Sequence, residues 1–266
     1  MLLPRLLTAA IGIPLMLWLI FTGGTAFAVL IYIIIALSLY EYSALLRLGS
    51  KPVNRWALYI FGLLMPLVLY FDNMPRAAGD HFAGAMIMLT VVGTLCLELF
   101  QKEKYIERMG LTLLGIFMLS WCLFQFIPLR DLPEGKNLTF LLIVTVWVMD
   151  TAAYFFGKKI GKNQLTPVSP KKTWEGAIAG FIFAIGTALL IARFTDGQIS
   201  YEKAAVIGVL IGIFGQMSDI AESMIKRAVG AKDSSNMLPG HGGIMDRFDS
   251  YIFLAPVIYY FMVLVK

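Results

Sequence analysis

Two stretches near the C-terminal end of this chain set acids, cations and glycines side by side at spacings that could do chemistry. The first is Gly212-Ile-Phe-Gly-Gln-Met-Ser-Asp219-Ile-Ala-Glu222, continued by Ser223, Lys226 and Arg227. On a helix Asp219, Ser223 and Lys226 fall at i, i+4 and i+7, on one face, with Arg227 one position round. A carboxylate, a hydroxyl and a cation on one stripe can hold a metal ion and a phosphate together; an ordinary salt-bridged helix surface has the same spacing. The second stretch is Lys232-Asp233-Ser-Ser-Asn-Met-Leu-Pro239-Gly240-His241-Gly242-Gly243-Ile-Met-Asp246-Arg247-Phe248-Asp249. Its Pro-Gly-His-Gly-Gly run breaks any regular helix. Such glycines let backbone N–H groups come close to a phosphate. Asp246 and Asp249 then stand at i and i+3 in what should be the first turn of a helix. Carboxylates of this kind suit Mg²⁺, which takes one or two of them plus substrate phosphates. The helix dipole accounts for one such Asp, but not for two beside a glycine-rich loop and a basic cluster.

A third group lies upstream. Asp150 ends the apolar run Thr145-Val-Trp-Val-Met-Asp150, and Gly157-Lys158-Lys159-Ile-Gly161-Lys162 leads on to Ser169-Pro170-Lys171-Lys172-Thr173-Trp174-Glu175-Gly176. An ionisable group at membrane depth is costly and by default marks a polar cavity; the alternative is a helix end reaching the interface. The five lysines serve equally as a topology signal or as a grip on anionic lipid heads. Lys171 and Lys172 directly precede a helix, whose free N–H groups make an anion site. The chemistry these residues suggest is phosphoryl or nucleotidyl transfer on a lipid, with the base and the lipid left open.

The elements that must position them are membrane helices. The 266 residues are 59% hydrophobic and only 15% charged, with mean hydropathy +0.77. A soluble domain has about a quarter of its residues charged, and a water-soluble core of this size cannot hide the excess. Runs of about 20 apolar residues predict nine spans: 6–21, 26–46, 56–71, 82–100, 111–129, 138–157, 174–194, 204–224 and 248–265. The fold class expected is therefore all-α and polytopic, with residues 1–130 as a scaffold of helices. Residues 131–266 form the part that carries the chemistry. No repeat or linker sets off a soluble domain. Ala26-Phe-Ala28 resembles a signal-peptidase site, but the apolar residues beyond it continue into another span. Cys96 and Cys122 sit in apolar runs and read as small buried hydrophobes; with only His81 and His241, no His/Cys zinc cluster forms.

Nine spans put the two termini on opposite sides. On the N-terminal side fall Arg5, the cations of the loops around residues 47–55, 102–108 and 158–172, and Lys226, Arg227, Lys232 and Arg247. They make 16 of the 22 Lys and Arg. By the positive-inside rule that side is cytoplasmic, so the N-terminus and both long loops are expected in the cytoplasm, where the candidate site opens. The net charge of +5 suits an anionic surface or phosphorylated substrates.

The run from Ser223 to Asp249, with Lys226, Arg227, Lys232, Asp233, Pro239, His241, Gly242, Gly243, Asp246 and Arg247 in register, resembles the signature of the CDP-diacylglycerol synthases, or phosphatidate cytidylyltransferases. The block from Asp150 through Tyr154, Gly157, Lys158, Gly161 and Lys162, then Ser169 to Gly176, is similar to the same family. Together they cover the C-terminal half; in the N-terminal half the resemblance rests on length and hydropathy.

The resemblance implies an integral inner-membrane enzyme, dimeric and Mg²⁺-dependent, with CTP and phosphatidic acid as substrates and CDP-diacylglycerol and pyrophosphate as products. For some members it also implies a monovalent cation such as K⁺. It implies no nucleic-acid partner. Carried onto this chain, Asp219 and Asp246 become the principal metal ligands, supported by Asp249 and Ser223. Lys226, Arg227 and Arg247 neutralise phosphates. Lys171, Lys172, Lys232, His241, Gly242 and Gly243 receive substrate, and Asp150 completes the site. Two other readings remain open. A CTP-dependent lipid-alcohol kinase has similar topology and releases CDP. An ion-coupled transporter usually shows related halves, whereas here the polar motifs crowd into one half.

Overall fold

The computed structural model describes residues 3–72, 82–103, 106–238, 240 and 242–265. His81, Pro239 and His241 lie outside them. Among the described residues there are nine helices and no strand. The nine helices are α1 (Leu3–Thr22), α2 (Gly24–Leu48), α3 (Arg55–Asp72), α4 (Phe82–Leu99), α5 (Ile106–Asp131), α6 (Gly135–Ile160), α7 (Trp174–Ala192), α8 (Tyr201–Ala228) and α9 (Met245–Leu264). They follow the nine expected spans. The last eight are long and apolar enough to cross a membrane, and the protein is an integral membrane protein. α8 runs one turn beyond the expected end of its apolar span, so Lys226 and Arg227 are on the helix, as the spacing from Asp219 requires.

Contacts between the loops show how the helices alternate. Lys51, after α2, donates to Glu107 Oε1 at the start of α5 at 3.0 Å, and Gly49 lies against Val229, beyond α8. At the other end Arg130 Nε, in the last turn of α5, donates to the Ile20 carbonyl of α1 at 2.6 Å, and Asn137 of α6 donates to Gln198, before α8, at 2.8 Å. Successive helices therefore run up and down. The α2–α3, α4–α5, α6–α7 and α8–α9 loops share one end, the end expected to be rich in cations.

In lipid there is little hydrophobic force between helices, so close packing and hydrogen bonds must hold them. α7 shows the device plainly. Its buried residues are Gly176, Gly180, Ala184, Ala188 and Ala192, a small side chain every fourth position. A Cβ on Gly176 would lie 2.6 Å from the Ala153 carbonyl oxygen of α6, so the two backbones nearly touch there. α2 lies at the centre, with Ile35, Leu39 and Tyr42 fully buried. α4 buries only Met86, Thr90, Thr94 and Glu98, one residue per turn. Its remaining apolar side chains face outward, as lipid allows. Cys96 is on that exposed face, contrary to the expectation that both cysteines are buried; Cys122 is half-buried, and both are free thiols.

Two helices depart from α-geometry. Ile116–Trp121 in α5 and Ile211–Gly215 in α8 are π-helical turns, a feature often found at functional sites. The second directly precedes Gln216 and Asp219. The wider turn changes the direction in which every later residue of α8 points.

Candidate active site

Four segments at the cation-rich end build the site. α6 brings Asp150 ten residues before its C-terminus, about 15 Å below that end at the α-helical rise. The α6–α7 connection is a compact hairpin. Leu165 N donates to the Lys172 carbonyl at 2.8 Å and Trp174 N to the Asn163 carbonyl at 2.9 Å, and Gln164 and Thr173 form an antiparallel bridge. Glu175 locks it by accepting the Asn163 side-chain amide at 2.8 Å. Thr173 caps α7, accepting the Gly176 N–H at 3.2 Å. Lys171 and Lys172 are thereby held at the mouth of the bundle rather than on a free tail.

α8 supplies Asp219 and Ser223. Their i, i+4 relation is as expected: Ser223 Oγ donates to Asp219 Oδ1 at 3.4 Å. Lys172 reaches across from the hairpin, with its Nζ 2.6 Å from Asp219 Oδ2. The start of α9 supplies Asp246, Arg247 and Asp249. Ser218 Oγ donates to the Asp249 carbonyl oxygen and accepts the Phe253 N–H at 3.2 Å, which ties α8 to α9 beside the site.

These groups face a cavity of about 1220 Å³, above the roughly 300–1,000 Å³ of ordinary small-molecule pockets. One end is charged, with Asp150, Lys171, Lys172, Asp219, Arg247 and Asp249 on its lining. The opposite wall is apolar, from Met16 of α1 and Leu30, Ile33, Ile34 and Leu37 of α2. The cavity thus has the two-sided character of a phospholipid: a polar end for a head group and an apolar wall for chains.

The expected residues separate into three groups. Asp150, Lys171, Lys172, Asp219, Arg247 and Asp249 line the charged end together. Asp246 lines it too, but it pairs with Lys226, which is off the lining, and the side chains of both are already engaged. Asp246 Oδ1 accepts from Lys226 Nζ at 2.7 Å, and its Oδ2 accepts from Ser234 N and Ser234 Oγ, both at 2.9 Å, and from Gly243 N at 2.8 Å. Lys226 is also ion-paired with the fully buried Glu222. In this arrangement Asp246 organises the glycine-rich loop, and Lys226 neutralises two carboxylates. The loop glycines act the same way: Gly243 gives its N–H to Asp246, while Gly242 has φ +78° and makes the turn.

The third group lies outside the cavity. Arg227 is spent on the Ala231 and Val168 carbonyls, at 2.7 and 3.3 Å, and so ties the two loops together. Lys232 lines a separate shallow depression with Ala231, Asp233 and Asn236. His241 is outside the described residues.

Four carboxylates on one cavity, two of them already holding a lysine ammonium, are the donor chemistry that a hard divalent cation requires. Among the described residues no group of three or more Asp, Glu, His or Cys side chains is placed to hold a metal ion by itself. Mg²⁺ asks for only one or two carboxylates and completes its shell with water and substrate phosphate, and Asp150, Asp219 and Asp249 are the cavity carboxylates that could supply them. The carboxylate of Asp246, with four donors on it, is the poorer ligand.

Sequence reasoning missed one residue here. Glu41 of α2 is fully buried and binds the same loop as Asp246. Its signal was available: one carboxylate in a 25-residue apolar helix, the argument already applied to Asp150.

Comparison with known proteins agrees with this geometry. Residues 3–265 match the sequence profile of the cytidylyltransferase family. A Bacillus subtilis (strain 168) protein named phosphatidate cytidylyltransferase is 32% identical over 264 residues, covering 98% of this chain and 97% of its own. A Synechocystis protein of the same name is 32% identical, covering 98% and 96%. One from Brucella suis is 33% identical, covering 97% and 92%.

Proposed function

The chain belongs to the cytidylyltransferase family, and from that premise we propose that it is a phosphatidate cytidylyltransferase, making CDP-diacylglycerol and pyrophosphate from CTP and phosphatidic acid. The observation that carries the reading is the single cavity with carboxylates and cations at one end and apolar α1–α2 side chains along the other wall. Neither a soluble nucleotide enzyme nor a simple lipid carrier needs both.

A phosphate oxygen of phosphatidate forms a bond to the α-phosphorus of CTP. The bond from that phosphorus to the bridging α–β oxygen breaks, and its electron pair leaves with pyrophosphate. The nucleophile is already an anion, so no general base is required. The obstacle is bringing two polyanions together, so catalysis is positioning and electrostatics. Lys171, Lys172 and Arg247 receive the phosphates at the cavity mouth. Lys172 would exchange Asp219 for a phosphate oxygen as substrate arrives, freeing that carboxylate. Asp219 and Asp249, with Asp150, are the residues that would hold Mg²⁺. When bound, Mg²⁺ neutralises triphosphate oxygens and the charge on departing pyrophosphate. Ser223 holds the Asp219 carboxylate in orientation. The acyl chains lie along Leu30, Ile34 and Leu37, so phosphatidate enters sideways from the bilayer.

The same proposal takes the protein as a homodimer of the inner membrane, with its N-terminus and active site on the cytoplasmic side and its C-terminus opposite. The excess of Lys and Arg at the site's end of the bundle supports that sidedness.

The test is purified protein with CTP, phosphatidic acid and Mg²⁺. Liponucleotide and pyrophosphate should appear in equal amounts, and Asp219→Asn should abolish both while the protein still inserts and purifies normally. An Asp219→Asn variant with near-wild-type turnover removes Asp219 from the metal site, and wild-type protein that yields neither product sinks the assignment.

A further inference from the structure

Glu41 is a carboxylate with no exposure, deep in an apolar helix far from the catalytic motifs in sequence. No ion pair among the described residues includes it. Burying an ionised carboxylate without a counter-ion is costly unless hydrogen bonds replace its water. Here four donors do so. Oε1 accepts from Ser235 Oγ at 2.6 Å and Ile244 N at 2.9 Å, and Oε2 accepts from Ser234 Oγ at 2.9 Å and Met245 N at 2.8 Å. Two of these are backbone N–H groups at the start of α9, where the helix dipole favours a negative charge.

All four donors belong to the segment that also holds Asp246. Ser234 Oγ lies 2.9 Å from a carboxylate oxygen of Glu41 and 2.9 Å from one of Asp246. One hydroxyl proton serves one acceptor at a time, so the two acids share this serine. The fit leaves no slack: a Cβ on Gly243 would come within 2.5 Å of Glu41 Oε2. Arg247 and Asp249 follow directly on the same helix and face the cavity.

Resting on the function proposed above, we infer that Glu41 is a positioning residue for the transfer. From α2 it clamps Ser234, Ser235 and the start of α9, and so sets where Asp246, Arg247 and Asp249 stand. It touches no substrate; it acts through the loop.

The test uses the full-length protein in lipid nanodiscs, with Glu41→Gln, Glu41→Asp and Ser235→Ala as variants and Glu107→Gln, in an exposed ion pair with Lys51, as control. Gln keeps the size but turns an amide N–H₂ toward N–H donors. Loss of a supporting partner commonly costs 10–100-fold. Glu41→Gln should therefore lower kcat by roughly 10–100-fold, with KM for phosphatidate within about twofold because the apolar wall is untouched. Hydrogen exchange of peptides covering 234–246 should quicken as that segment opens locally, with no change at α4 or in the control. Glu41→Asp should recover part of kcat, and Ser235→Ala should show a smaller drop of the same pattern. Wild-type kcat and exchange in Glu41→Gln would overturn the inference, and so would a lower melting temperature with unchanged turnover per folded molecule. If Glu41→Gln does not insert, Ser235→Ala decides: wild-type kcat and exchange there overturn it. Should wild-type protein form no liponucleotide, the functional reading fails, while the exchange measurement still judges the clamp.

Discussion

Replacing Lys226 separates two accounts of the same residue. From sequence it is a phosphate ligand. In the structure it is 7% exposed, 2.7 Å from Asp246 Oδ1 and ion-paired with Glu222. Lys226→Met keeps the aliphatic stem and deletes the charge. Asp246 retains three donors, from Ser234 and Gly243, and should tolerate the loss. Glu222 retains none: it has no exposure, and neither of its oxygens has a hydrogen bond among the described residues. Removing one partner of a buried pair costs about 3–5 kcal/mol. At roughly 2–4 °C per kcal/mol for a chain of this size, that is a fall in Tm of roughly 6–20 °C. The assay is thermal unfolding in detergent by intrinsic fluorescence, with turnover measured on the fraction still folded. Adding Glu222→Gln to Lys226→Met should restore at least half of the lost stability, because the orphan is then neutral. A Lys226→Met protein that melts with wild type but has lost turnover would refute the reasoning and return Lys226 to the phosphates.

Other outcomes follow from the same geometry. Asp249→Asn should lower kcat at least 100-fold with Tm unchanged; wild-type kcat in that variant would remove Asp249 from the metal site. Chelation with EDTA should abolish turnover and added Mg²⁺ restore it, whereas full activity in excess chelator would remove the divalent ion from the account. Gly176→Val should lower both Tm and activity, because a Cβ already meets the Ala153 carbonyl at 2.6 Å; a variant with unchanged Tm would show that α6 and α7 are not held by that contact. Ile34→Trp should raise KM for long-chain phosphatidate more than for a short-chain analogue, leaving KM for CTP alone, and equal effects on both lipids would move the acyl chains off α2.

Much of this was legible in the sequence because the governing signals are local. Nine apolar runs became nine helices, since a bilayer demands length and apolarity and little else. Asp150 stands out because a carboxylate in an apolar span needs an explanation, Asp219 by the stripe it shares with Ser223 and Lys226, and Asp249 by its place three residues after Asp246 beside a glycine-rich loop. What was not legible depends on contacts between distant segments. Glu41 meets its serines 193 and 194 residues away, and no local pattern announces that. Lys226 and Arg227 are adjacent, and both were expected to meet phosphate. One turns inward to two acids and the other outward to two carbonyls, a difference fixed only once α8 is docked. The Gly176-to-Ala192 ladder has a clear period of four, but glycine and alanine carry neither charge nor bulk that would set them apart in an apolar span. In lipid, small residues carry the packing.

The most direct test of the central claim follows the phosphorus atoms. Purified protein in nanodiscs is given phosphatidic acid, Mg²⁺ and CTP labelled either at the α- or at the γ-phosphate. The account predicts that α-label enters the lipid phase and γ-label leaves as pyrophosphate, one for one. Transfer of γ-label to a lipid with release of CDP would show phosphorylation of a lipid alcohol instead and contradict it.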